Sequence, residues 1–147
     1  ANVAPRFGPG AFLICLETLF QQTTGHQLKY SCYGKPHGPA YRYAERMLVS
    51  QLAETAGSSS DGDMSALQGY TIYGIGDNPG SDIRGANAAG SHWRSVLVRT
   101  GVFDGSLPND PKDPADHVVD DVGAAIQTII AEAEQNGSTR KRKGDAR

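Results

Sequence analysis

Between Tyr70 and Ile75 the chain runs through β-branched and aromatic residues. The run then empties into Gly76-Asp77-Asn78-Pro79-Gly80-Ser81-Asp82, a glycine-rich turn whose two carboxylates stand five residues apart. A strand that ends this way, ahead of a segment able to turn helical, is how an α/β sheet presents ligand groups at the carboxyl rim of its strands. The apolar run reads as a buried strand, Gly76 permits the sharp turn, and Ser81 is placed to cap a helix that Asp82 enters.

The rest of the chain follows the same alternation. Apolar positions 12, 13, 16, 19 and 20 make Pro9 to Thr23 a helix, with Gly25 as its stop signal. Leu28 to Tyr33 reads as a short strand, broken by Gly34-Lys35-Pro36. Gly38 to Glu54 carries Tyr41, Ala44, Met47, Leu48 and Leu52 at helical spacing. A soft, Ser/Gly/Asp-rich linker over residues 56–66 follows, expected to be mobile. Beyond the carboxylate turn come a short helix over Ile83 to Ala89, a strand over Ser95 to Arg99 and an irregular connection from Phe103 to Ala115. A last strand over Asp116 to Val119 precedes an amphipathic helix over Asp120 to Glu134, with Val122, Ala125, Ile126, Ile129 and Ile130 facing inward. Strands alternating with helices imply a mostly parallel sheet with flanking helices.

Charge and cysteine content narrow the function classes. Five of the 14 basic residues lie among the last eight, Arg140, Lys141, Arg142, Lys143 and Arg147; the remaining body holds nine basic against 15 acidic side chains. An acidic body argues against nucleic acid as a partner, and a terminal basic run reads as a disordered tail over 136–147. No run approaches the ~18 apolar residues that span a bilayer. Cys15 and Cys32 form no metal-binding spacing and suit a reducing compartment, with Cys15 expected as a small core residue. The four histidines stand without ligand spacing. Trp93 and Tyr70 read as packing residues. The chain opens without the charged-then-apolar pattern of a secretory signal, so any targeting segment is expected to be absent or removed; the expected location is not secreted, in keeping with the cysteines.

Lys35, Asp77 and Asp82 each fall at a strand-to-helix junction, which in a parallel sheet gathers them near one edge. Taken singly, an Asp in such a turn is also a turn former or helix cap, and Lys35 a surface lysine. Together they suit phosphoryl transfer. Mg²⁺ prefers a few carboxylates and several waters, so Asp77 is expected as a direct ligand and Asp82 as a direct or water-mediated one. Lys35 offers a compact positive charge to a phosphate or to the carboxylates.

Gly34-Lys35-Pro36, followed about forty residues later by Gly76-Asp77-Asn78-Pro79-x-Ser81-Asp82-Ile83-x-Gly85-Ala86, resembles the third and fourth motifs of the haloacid-dehalogenase-like (HAD) hydrolases. The branch is the NagD-like one with a C2-type cap. Ser95 to Val102 and Ala115 to Asp121 match that branch too. Pro5-Arg6-Phe7-Gly8-x-Gly10-Ala11-Phe12 and the Asn-Pro of the fourth motif are similar to its eukaryotic, often mitochondrial members, the haloacid-dehalogenase-like hydrolase domain containing protein five group. The resemblance implies a Mg²⁺-dependent phosphatase acting on a small phosphorylated substrate through an aspartyl-phosphate. Lys35 would steady the nucleophile and phosphoryl group, Asp77 would bind Mg²⁺, and Asp82 would support the metal shell or pair with Lys35. A mitochondrial location follows from the same resemblance, with a cytoplasmic one as the alternative.

The family's nucleophile motif, Asp-x-Asp after an apolar strand, has no counterpart here. Asp61-Gly62-Asp63 follows Gly57-Ser58-Ser59-Ser60 in the linker and is rejected as a nucleophile. Residues 1–33 therefore correspond to the C-terminal end of the cap, and 34–135 to the second half of a HAD-like Rossmannoid core. Such a half-sheet is expected to need the missing N-terminal half, a companion chain or self-association to cover its edge. The alternative to a phosphatase part is a noncatalytic interaction or regulatory protein derived from the fold. A nucleotide-binding module built on Gly74-x-Gly76-x-x-x-Gly80 is disfavoured, because the spacing departs from G-x-G-x-x-G and Asp77 would repel a phosphate.

Overall fold

A computed structural model describes residues 7–57, 63–103 and 105–144, with side-chain surroundings through Gln135. The chain divides into two compact units, Ala1–Cys32 and Tyr33–Arg147.

In the first unit, helix α1 spans Pro9–Thr24 and stops where Gly25 takes a φ of 72° that L side chains avoid. The segment expected as a strand over Leu28 to Tyr33 has no regular structure, because no described residue offers it a hydrogen-bonded neighbour. Instead Tyr30 donates its hydroxyl to Glu17 Oε1 at 2.6 Å, pinning residues after the helix to α1. No residue of α1 is buried, and Cys15, expected in a core, is exposed along with Phe12, Ile14 and Leu19. Within this unit, no second described element covers the apolar side chains of the helix.

The second unit is a three-layer α/β body. Helix α2 (Gly38–Thr55) leads through a 3₁₀ turn at Met64–Leu67 into strand β1 (Ile72–Gly76). Of the expected mobile linker, residues 58–62 lie outside the described residues, and its distal end enters the 3₁₀ turn. Asp63 accepts from the Ser65 N–H at 2.9 Å and caps the 3₁₀ turn. After β1 come a π-helical turn at Pro79–Ile83, helix α3 (Arg84–Ala89), strand β2 (Trp93–Val98), strand β3 (His117–Val119) and helix α4 (Val122–Gly144). Helix α4 runs past Glu134 into the basic segment expected to be disordered. Its Ala, Glu, Gln, Lys and Arg residues are strong helix formers, and the backbone stays helical through Gly144.

The sheet is fully parallel in the order β1-β2-β3, with Ile72 opposite Trp93, Gly76 opposite Leu97, and Val98 opposite Val119. Alternate residues of β2 serve opposite layers. Trp93 packs with Tyr41 of α2 and Ala86 of α3, and Leu97 joins Ile83, Phe103 and Ala115 on that same face. Val96 and Val98 meet Ala125 of α4 on the other. Central β2 is thereby buried, whereas β1, expected to be buried, is only half-buried along its length because it is an edge strand among the described residues. The expected inner face of α4 is also narrower. Ala125 is fully buried, while Val122, Ile126 and Ile130 are exposed.

Candidate functional site

The site is built where β1 and β2 end side by side. Asp77 directly follows Gly76, the last residue of β1, and the turn after β2 folds over it: the Val102 N–H donates to Asp77 Oδ2 at 2.8 Å, and the Phe103 N–H to the Asp77 carbonyl at 2.9 Å. Gly101 allows this approach. Its φ of 150° disfavours a side chain, and a Cβ there would overlap the Asp77 carboxylate. Asp77 Oδ1 makes no hydrogen bond among the described residues.

Asp82 is placed by a different device. The Asn78 carbonyl accepts from the N–H groups of Ser81, Asp82 and Ile83, at 3.2, 2.8 and 3.4 Å, the last of these closing the π-helical turn. The Asn78 N–H in return donates to Asp82 Oδ2 at 3.1 Å. Ser81 thus lies inside the turn and does not cap a helix; Asn78 occupies the cap position, without a side-chain bond. This wide turn replaces the regular helix start expected there and aims the Asp82 carboxylate back over Gly76, where a Cβ would collide with it.

Lys35 comes from the loop before α2 and donates through Nζ to Asp82 Oδ1. That bond holds the Lys35 ammonium above its usual pKa; partial burial opposes the rise, and the negative charges of Asp82 and Asp77 add to it. All three charged residues singled out from sequence therefore share one site, although Lys35 follows an irregular segment and not a strand. Tyr41, one helical turn into α2, donates its hydroxyl to the Asp82 carbonyl at 3.1 Å while its ring packs edge-on against Trp93 at 5.2 Å. Desolvation raises the Tyr41 pKa, Asp82 adds to the rise and Lys35 opposes it. Sequence reading placed Tyr41 only in the core. Nothing in the local spacing signals its second role, because the bond is to a carbonyl 41 residues away. Tyr70, read as packing, is exposed, whereas Trp93 is buried.

These groups fit a hard cation held mainly by waters. Asp77 has one uncommitted carboxylate oxygen, and both Asp82 oxygens are taken, by Lys35 and by the Asn78 N–H. Each Asp82 oxygen keeps a further lone pair, open to a cation or to a water. No set of three His, Cys, Asp or Glu side chains converges into a metal cage among the described residues, a pattern that Zn²⁺ or Ca²⁺ would favour and Mg²⁺ does not require. Lys35 keeps two further N–H donors on a side chain that is 57% exposed, enough to meet an incoming anion.

Comparison with known proteins places the chain in a family. A family profile for HAD-hydrolase-like proteins matches residues 32–125. The chain is 40% identical over 143 residues to a cardiolipin synthase (CMP-forming) / mitochondrial hydrolase fusion protein of Schizosaccharomyces pombe, covering 97% of this chain and 22% of that protein. It is 33% identical over 108 residues to a mitochondrial hydrolase of Saccharomyces cerevisiae, covering 67% of this chain and 30% of the other. It is 31% identical over 118 residues to the phospholysine phosphohistidine inorganic pyrophosphate phosphatase of Danio rerio, covering 76% of this chain and 40% of the other. The chain thus spans well under half the length of each of these relatives. No helix among the described residues is long and apolar enough to cross a membrane. The parallel α/β sheet, the clustering of Lys35, Asp77 and Asp82 at its carboxyl rim, and these matches together identify the chain as a member of the HAD-like hydrolase family.

Proposed function

We propose that this chain carries the cation-binding and lysine-bearing part of a Mg²⁺-dependent phosphatase that acts on a small phosphorylated substrate. The observation that carries the reading is the joint site: a carboxylate with a free oxygen, a second carboxylate and a lysine, on one rim of a parallel sheet. Asp77 would hold the metal, with Asp82 acting through water. When bound, Mg²⁺ would neutralise charge on the phosphoryl oxygens. Lys35 orients the phosphoryl group and stays protonated while doing so, because its bond to Asp82 disfavours loss of the proton. Asp82 in turn fixes the lysine, and the Val102 N–H fixes Asp77.

The attacking carboxylate comes, on this reading, from a strand laid along the open edge of β1, next to Asp77. Attack on phosphorus would form the aspartyl-phosphate and release the alcohol; water would then free phosphate. The exposed apolar residues of α1 and α4 suit a body completed by further elements, whether in the same polypeptide or a companion chain. The mitochondrial names of two relatives favour that compartment. A noncatalytic descendant of the fold is the reading to which failure would lead.

The test has two arms. Calorimetric titration of the chain with MgCl₂ should show saturable binding that Asp77→Asn weakens by at least about tenfold. Turnover of p-nitrophenyl phosphate should arise only when a HAD-type Asp-x-Asp segment is joined upstream, and Lys35→Ala should abolish it. Magnesium binding indifferent to Asp77 would sink the metal assignment, and turnover by the chain alone would sink the assignment of the nucleophile.

A further inference from the structure

The outer face of α2 carries a second cluster that the phosphatase reading does not use. Tyr41, Glu45 and Val49 are the buried face of this helix, at a spacing of four. Away from that buried stripe, Arg42, Tyr43 and Arg46, with Pro39, Ala40 and Tyr33 at and before the start of the helix, line an open groove of about 480 Å³, within the range of small-ligand sites. Arg42 and Arg46 are exposed, sit one helical turn apart, and form no ion pair with a described residue. Like charges at this spacing destabilise a helix, and an anion between them relieves that repulsion. Two unpaired guanidinium groups are also conspicuous on a body whose net charge is negative. No acidic side chain lines the groove.

The aromatic lining narrows the ligand further. The Arg46 guanidinium lies over the Tyr43 ring at 5.9 Å, which preorganises it. Tyr33 is 74% exposed and its ring has no ring or cation partner among the described residues. A forked donor pair beside an open aromatic face matches an anion attached to a flat ring.

We infer that this groove binds a phosphorylated planar ring, of which a nucleoside monophosphate is the simplest example, with the phosphate on Arg42 and Arg46 and the ring on Tyr33. The site is independent of the Lys35–Asp82 pair, which Tyr41 touches from the other face of the helix.

The full chain, in metal-free buffer containing EDTA, is titrated with AMP, adenosine and inorganic phosphate by calorimetry. One saturable AMP site is expected, with adenosine and phosphate each at least about tenfold weaker, since each supplies half of the recognition. The Arg42→Gln/Arg46→Gln variant should weaken AMP by about tenfold or more, Tyr33→Ala by a similar factor, and Lys35→Ala not at all. Far-UV circular dichroism checks the helix; should the double variant lose it, Tyr33→Ala, which lies outside the helix, decides. Absence of a saturable AMP site, or phosphate binding as tightly as AMP, overturns the proposal. So does AMP binding lost in Lys35→Ala and kept in the double variant. Arg-dependent binding of a polyglutamate peptide with no response to AMP would assign the groove to a protein partner instead, and also overturns it.

Discussion

Lys35 and Asp82 stand 47 residues apart in sequence and meet as an ion pair, tying the loop before α2 to the turn after β1. The partners are unequal: the lysine side chain is 57% exposed and the aspartate 11%. Removing the lysine lets water reach Asp82, so Lys35→Ala should cost at most ~1 kcal/mol of stability. Asp82→Ala also strands the Asn78 N–H and opens the turn, and should cost ~1–3 kcal/mol. Urea unfolding at fixed protein concentration, followed by the single Trp93, separates the two; equal costs would contradict this division.

Tyr41 joins the core to the site. Tyr41→Phe keeps the ring against Trp93 and loses only the bond to the Asp82 carbonyl, which should cost ~0.5–1.5 kcal/mol. Tyr41→Ala removes the packing as well and should cost ~3–5 kcal/mol. The same unfolding curves measure both.

Gly76 and Gly101 are bounded by the two carboxylates. A methyl at Gly101 meets the Asp77 side chain in a backbone conformation that L residues avoid, and one at Gly76 meets Asp82. Each Gly→Ala change should destabilise by ~1–3 kcal/mol. Gly101→Ala should also weaken Mg²⁺ binding, because it displaces Asp77. Unaltered magnesium calorimetry in Gly101→Ala would show that Asp77 is not the ligand.

Glu45, buried in α2, accepts from Trp93 Nε1 at 2.8 Å and lies 2.7 Å from His92 Nε2. Glu45→Ala leaves the indole N–H without its acceptor, a loss of ~1–3 kcal/mol. Tryptophan emission should shift to the red as water enters, whereas Glu45→Gln, which keeps a carbonyl acceptor, should shift it little.

Tyr73 on β1 donates to Glu132 Oε2 of α4 at 2.6 Å, and Glu132 Oε1 also meets His117 Nε2 at 2.9 Å. Desolvation first, then the bond and charge of Glu132, push the Tyr73 pKa from 10.0 up to about 12, with Arg94 opposing. The folded state thus holds the proton more tightly than the unfolded one. Stability from this bond is complete below the unfolded value of 10.0 and is lost as pH rises through about 12. Wild-type protein should lose stability across that alkaline window, and Tyr73→Phe should lose less; parallel pH profiles would refute the link.

Much of the architecture was legible in local pattern. Helices α1 and α2 begin and end within a residue or so of where apolar periodicity and Gly25 place them, and β2 reads directly from its Val-Leu-Val run. Less legible was whatever depends on a neighbour. Leu28 to Tyr33 has strand-forming residues but no described strand beside it, so it stays irregular. Cys15, Val122, Ile126 and Ile130 have core chemistry, yet no described element covers them.

The chain's own order of residues determined a parallel α/β body and put Lys35, Asp77 and Asp82 at element boundaries, because hydrophobic period and turn chemistry are local. Tertiary structure alone decided what those three contact. Side-by-side strand ends bring the Val102 and Phe103 N–H groups onto Asp77, and a π-helical turn swings Asp82 over Gly76 to meet Lys35. It also decided that Tyr41 serves both core and site. Hydrogen bonds between segments tens of residues apart depend on packing geometry, which no local spacing encodes.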